Sequence, residues 1–126
     1  MQFLMMVKTS ENSQGPMPEA LMEAIERGRQ DAVEQGHMLD TGGLAPTAAS
    51  ARVRLENGQV ATIDGPFTEA KEVVGGFAFM EFSTQQAAIE GATWLMDLHK
   101  QHWPGWEGEV EVRQVFRAEG GKCPQH

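Results

Sequence analysis

The chain has 126 residues, is 40% hydrophobic and 22% charged, and sets ten Lys and Arg against 18 Asp and Glu for a formal net charge of −8. Its basic residues are scattered from Lys8 to Lys122 with no cluster, which argues against a nucleic-acid surface and against electrostatic docking on an anionic membrane. Cys123 is the single cysteine, so no intrachain disulfide forms, and the length suits one domain of a cytoplasmic protein.

Phe3-Leu4-Met5-Met6-Val7 is too short for a membrane span or a secretory leader. It reads instead as a strand buried on both faces, hence central in a sheet. Pro16 and Pro18 announce a helix, because the first helical turn has no use for the missing N–H. From Glu19 to Gln35 the apolar residues Leu21, Met22, Ile25, Ala32 and Val33 keep helical spacing, and Gly36 follows as the left-handed cap. The small, polar stretch from Met38 to Ser50 has room for one short strand and a loop.

Arg52 to Glu56 alternates strictly, Asn57-Gly58 is the preferred type I′ turn, and Gln59 to Ile63 returns as a hairpin strand. Asp64-Gly65-Pro66-Phe67 ends that strand, since Pro cannot donate to a ladder. Thr68 to Glu72 suits one helical turn with Thr68 as its N-cap. Phe77 to Phe82 is apolar on both faces and reads as a second central strand. Ser83 with Gln86 resembles a capping box for a helix to about Lys100, with Ala88, Ala92, Leu95 and His99 along one stripe. Trp103-Pro104-Gly105-Trp106 breaks it. Glu109 to Arg117 alternates with Val110, Val112 and Phe116 on one side, and 118–126 reads as a mobile polar tail behind a single domain over 1–117.

Right-handed crossovers turn the order β, α, β, hairpin, β, α, β into an α+β, ferredoxin-like sandwich with an inserted β-hairpin. Both helices lie on one face of an antiparallel sheet. The other face is left bare although its central strands are apolar there, so a homodimer is expected to cover it.

Asp64 is the leading candidate for chemistry. At a strand end facing a cleft, a desolvated carboxylate serves as a general base, whereas Asp before Gly-Pro also caps a turn through its backbone bonds. Lys71 is its natural electrostatic partner, either steadying an anionic substrate oxygen or forming an exposed ion pair with Glu69 or Glu72. Arg52 and Arg54 share a strand face and suit a carboxylate clamp or a solvated surface. His37 and Asp40 flank the end of the first helix as an acid–base pair or as ordinary polar termini. His99 and His102 are spaced i, i+3, but no third ligand or zinc motif accompanies them, so neither metal nor cofactor is expected. The eight Met and six Phe suit a core or the walls of an apolar pocket.

The run Asp64-Gly65-Pro66-Phe67-Thr68-Glu69-Ala70-Lys71-Glu72, followed by Gly75-Gly76, resembles the YCII-related family, and within it the branch named for its Asp-Gly-Pro-Phe signature. The likeness spans about Gln2 to Val115 in element order. It implies a ferredoxin-like fold that pairs as a dimeric α+β barrel. It also implies a place for Asp64, with Phe67 of the signature beside the ligand. Some members resemble enzymes acting on small aromatic or lactone substrates by acid–base chemistry; others lie beside sigma-factor genes, which implies a regulatory protein partner. The histidine that the better-studied branch carries on the first helix is absent from Glu19 to Gln35, and His37 lies just past it.

Two functions follow. One is a cofactor-independent lyase, isomerase or dehydrochlorinase-like enzyme acting on a small anionic or aromatic molecule, its pocket between the bare sheet face and the hairpin near the dimer seam. The other is a non-catalytic ligand-binding or interaction module linked to sigma-factor regulation.

Overall fold

A computed structural model of the chain describes residues 1–10, 15–67 and 71–117. The expected turn at Thr68 and the tail at 118–126 fall outside the described residues. The elements run β1 (Gln2–Thr9), α1 (Glu19–Glu34), β2 (Met38–Gly43), β3 (Ala51–Glu56), β4 (Gln59–Asp64), β5 (Val73–Glu81), α2 (Gln85–His102) and β6 (Glu109–Val115). A short 3₁₀ turn at Thr47–Ala49 links β2 to β3. The result is an α+β fold with antiparallel pairing throughout.

The main sheet has the order β2-β5-β1-β6, and β3-β4 forms a separate two-stranded sheet. The two strands that are apolar on both faces, β1 and β5, are the central ones. Sequence and position agree in placing them centrally, with the helices covering only one of their two apolar faces. Register assigns the faces: Met5 opposes Ala78 and Val112, whereas Leu4 opposes Phe79, and Met6 opposes Phe77. Phe3, Met5 and Met80 are buried with Ala88 and Ala92 of α2, and Ala32 of α1 packs against the same cluster. Both helices therefore cover one sheet face. The other face carries half-buried Leu4, Met6, Phe77 and Phe79 under no element of the main body.

Helix ends follow local chemistry. After Glu34 the Gly36 N–H donates to Val33 and the His37 N–H to Ala32, with Gly36 at φ 78°. This closes α1 with the left-handed cap the sequence announces. At α2 the sequence reading needs correction by one residue. Thr84, not Ser83, is the N-cap, its hydroxyl accepting from the Ala87 N–H at 3.1 Å. Ser and Thr are both favoured caps, Ser somewhat more so, and the adjacent pair is ambiguous until the path out of β5 selects one. The helix also runs on to His102, two residues beyond expectation.

Asn57 and Gly58 take φ 52° and 76°, the two left-handed residues of a type I′ turn. At the base of this hairpin the Gly65 N–H donates to Ser50 and the Phe67 N–H to the Thr47 hydroxyl. A Cβ at Gly65 would collide with the Thr47 carbonyl oxygen, which explains why the chain needs glycine there. Val53, Leu55 and Val60 share the outer hairpin face and are each 71% exposed. Phe116, read as part of the last strand's apolar side, lies beyond it and is exposed.

Candidate functional site: an apolar cavity between the helices and the sheet

Two inward residues of α1, Met22 and Ile25, do not close against the sheet as Ala32 does. They wall a cavity of about 800 Å³ whose floor includes Met5, Ala78 and Met80. Met22, expected in the core from its spacing, is 54% exposed for this reason. Whereas α2 packs on the sheet, α1 meets α2 closely at Gly28, where any Cβ would overlap the Trp94 ring. Trp94, Trp103 and Trp106, all the tryptophans of the chain, line the cavity.

Two histidines also line it. His99 lies on the Ala88–Ala92–Leu95 stripe of α2 and is 3% exposed. Its Nδ1 is 2.9 Å from the Leu95 carbonyl, and its ring packs on Trp106 at 4.4 Å between centroids. His37 follows the cap of α1. Its Nδ1 is 3.0 Å from the Glu81 carbonyl, and its ring stacks on Phe82 at 5.0 Å. A carbonyl only accepts, so each ring holds its proton on Nδ1 when neutral and offers the Nε2 lone pair.

Of the residues proposed from sequence for catalysis or ligand binding, His37 alone lines this cavity. Asp40 does not pair with it. The Asp40 side chain accepts from the Thr41 N–H at 2.8 Å, and its cross-strand partner is Phe79, on the opposite sheet face from Met38 and Met80. A bulge between Met38 and Asp40 turns the two apart. Asp64 is exposed at the hairpin base and Lys71 is exposed beyond the signature. No ion pair joins them among the described residues. Arg52 stacks its guanidinium on Phe67 at 3.8 Å, burying that ring, while Arg54 is exposed further out on the same hairpin face. Arg52 and Phe67 thus stitch the arm to the body. Asp64 stands on the opposite face of the hairpin, because it opposes Ala51 whereas Arg52 opposes Ile63.

The residue that sequence reasoning placed on the inward stripe but gave no ligand-binding role is His99. Its signal was present: an imidazole at the i+4 and i+7 positions of an apolar stripe, followed by two tryptophans. Alone, that pattern reads equally as a packed core residue at a helix end. Only the gap under α1 distinguishes the two.

At the mouth of the cavity, Arg29 grips the Glu26 carboxylate through two bonds of 2.8 and 2.6 Å. The Arg29 hydrogen bond holds the Glu26 carboxyl below its ordinary value of 4.5. No group of three or more His, Cys, Asp or Glu side chains suited to a metal occurs among the described residues. No helix among them is long and apolar enough to cross a membrane.

The sequence model of the YCII-related domain matches residues 1–118. The chain belongs to that family. A YCII-related chain of this kind is also similar to an uncharacterised protein of Rhizobium meliloti (strain 1021), 28% identical over 106 residues, covering 84% of this chain and 82% of the relative. The family is thereby shown over nearly the whole chain, while neither match carries a reaction.

Proposed function

We propose that this YCII-related protein binds a small, largely apolar molecule between its helices and its sheet and performs acid–base chemistry on it without a cofactor. The observation that carries the reading is the cavity of about 800 Å³, apolar in its walls and furnished with two imidazoles of fixed tautomer. Its size falls in the range of small-molecule sites, and a few convergent polar groups in an apolar wall are what such sites use for orientation. Imidazole is the side chain best suited to proton transfer near neutral pH. His37 and His99 are the imidazoles in the cavity wall, with Glu26, Arg29 and Asp31 of α1 also in its lining; Asp64 and Lys71 take part only if a partner surface closes over the hairpin base.

The same reading includes a homodimer. Leu4, Met6, Phe77 and Phe79 form an apolar patch on the bare face of the central strands, and a second copy is the economical cover. A ferredoxin-like sandwich of the Asp-Gly-Pro-Phe branch, paired face to face as an α+β barrel, fits that patch.

All three tryptophans border the cavity, so binding is readable by energy transfer to the neutral dye N-phenyl-1-naphthylamine. Saturable binding of one dye per chain is expected. Ala78→Trp, which fills the floor, should abolish it while the circular dichroism of the fold is retained. No saturable binding to the wild-type chain, or undiminished binding to a folded Ala78→Trp variant, overturns the cavity as the site.

A further inference from the structure

We infer that the cavity selects ligands carrying a hydrogen-bond donor, an aromatic hydroxyl or amine, through the Nε2 atoms of His99 and His37; this rests on the cavity being the ligand site. The argument is an inventory of lone pairs and protons. His99 is 97% buried by its 3% exposure, and its one hydrogen bond in the chain uses Nδ1. Among the described residues no fully enclosed side-chain nitrogen or oxygen lacks a partner. Nε2 of His99 therefore keeps accessible surface, and for a ring so buried that lines the cavity, that surface is the cavity's own. His37 repeats the arrangement, with Nδ1 spent on the Glu81 carbonyl.

Two neighbouring hydroxyls and the guanidinium at the mouth are committed elsewhere. The Thr41 hydroxyl donates to the Phe77 carbonyl at 2.8 Å, and the Thr9 hydroxyl to the Glu107 carbonyl at 2.9 Å. Arg29 at the mouth closes its fork on Glu26. The two Nε2 atoms are thus acceptors set in an apolar wall, with the indole rings of Trp94, Trp103 and Trp106 lining the same cavity. At either Nε2 a bound carboxylate or bare ketone would meet a lone pair with lone pairs, whereas a hydroxyl or amine supplies the missing proton. The flat walls of Trp103, Trp106 and Phe82 beside these nitrogens favour an aromatic ring as the carrier. The same bond sets Nε2 to accept that proton, so the group that selects the ligand is also the group placed to deprotonate it.

The test compares 2-naphthol with 2-methoxynaphthalene, two rings of similar size of which only the first donates, by quenching of tryptophan fluorescence near neutral pH. One neutral hydrogen bond inside an apolar site corresponds to about a five- to tenfold preference for 2-naphthol. His99→Phe should erase most of it by weakening 2-naphthol alone. His37→Phe, at a half-buried position that tolerates a ring stacked on Phe82, gives the second reading should the first variant not fold. Equal affinity for the two compounds overturns donor selection and leaves the cavity standing. Binding of neither compound overturns both. A preference that survives in folded His99→Phe and His37→Phe overturns the assignment to these nitrogens.

Discussion

Two tryptophans and a helix carbonyl hold the imidazole of His99, and a strand carbonyl with a phenyl ring holds that of His37. In both, a backbone oxygen decides which nitrogen keeps the proton, so chemistry at this scale is set by the main chain. The charged residues at the cavity's edge follow a different rule. Glu26 is an exposed carboxylate whose pKa is lowered, first by the hydrogen bond from Arg29. A lowered carboxylate adds stability above its ordinary value of 4.5 and loses it as pH falls through the lower folded value. Glu26→Gln should thus lower the Tm near neutral pH, and the gap to wild type should narrow toward about pH 3, roughly a unit below the ordinary glutamate value. Thermal melts at the two pH values check this; a gap of equal size at both would show that the pair contributes nothing through its charge.

At the scale of elements, the turn chemistry is local and the packing is not. The Schellman end of α1 and the Asn57-Gly58 hairpin form where the residues announce them, because each needs only its own few backbone bonds. The start of α2 is the instructive case. Ser83 and Thr84 are both competent caps, and the strand leaving the sheet at Glu81 orients the second. Thr84→Ala should cost about 0.5–2 kcal/mol in urea unfolding, the usual worth of a capping hydroxyl, with Ser83→Ala near neutral. The reverse order of effects would restore the capping box at Ser83. The hairpin presents another consequence of locality. Its strands pair well with each other, yet Val53, Leu55 and Val60 stay 71% exposed, since an inserted two-stranded ribbon has no sheet to lie against within the chain.

For the whole molecule, two apolar surfaces remain after folding: the cavity under α1 and the bare sheet face around Met6 and Phe79. They call for different occupants. The cavity is concave and suits a small molecule; the sheet face is broad and suits another protein surface. On the proposed homodimer, sedimentation should give twice the chain mass of 13.8 kDa at micromolar concentration. Met6→Glu, which buries a carboxylate in that seam, should give folded monomers. A wild-type monomer, or a Met6→Glu dimer of unchanged affinity, would remove the bare face from the assembly.

The sequence by itself determined the order of elements, the two central strands, both hairpin turn residues and the cap of α1. These depend on periodicity and on backbone preferences that act within a few residues. It also marked His99 as inward-facing. Tertiary structure decided what inward meant. The gap between α1 and the sheet, beside the Trp94 ring that lies against Gly28, makes Met22 and Ile25 the wall of a cavity rather than a closed core. It likewise decided that His37 and Asp40, three residues apart, part to opposite sides of the sheet at a bulge, and that Asp64 stands in solvent on the far face of the arm from Arg52. No local rule reaches those outcomes, because each depends on the separation of elements that the chain brings together only once folded.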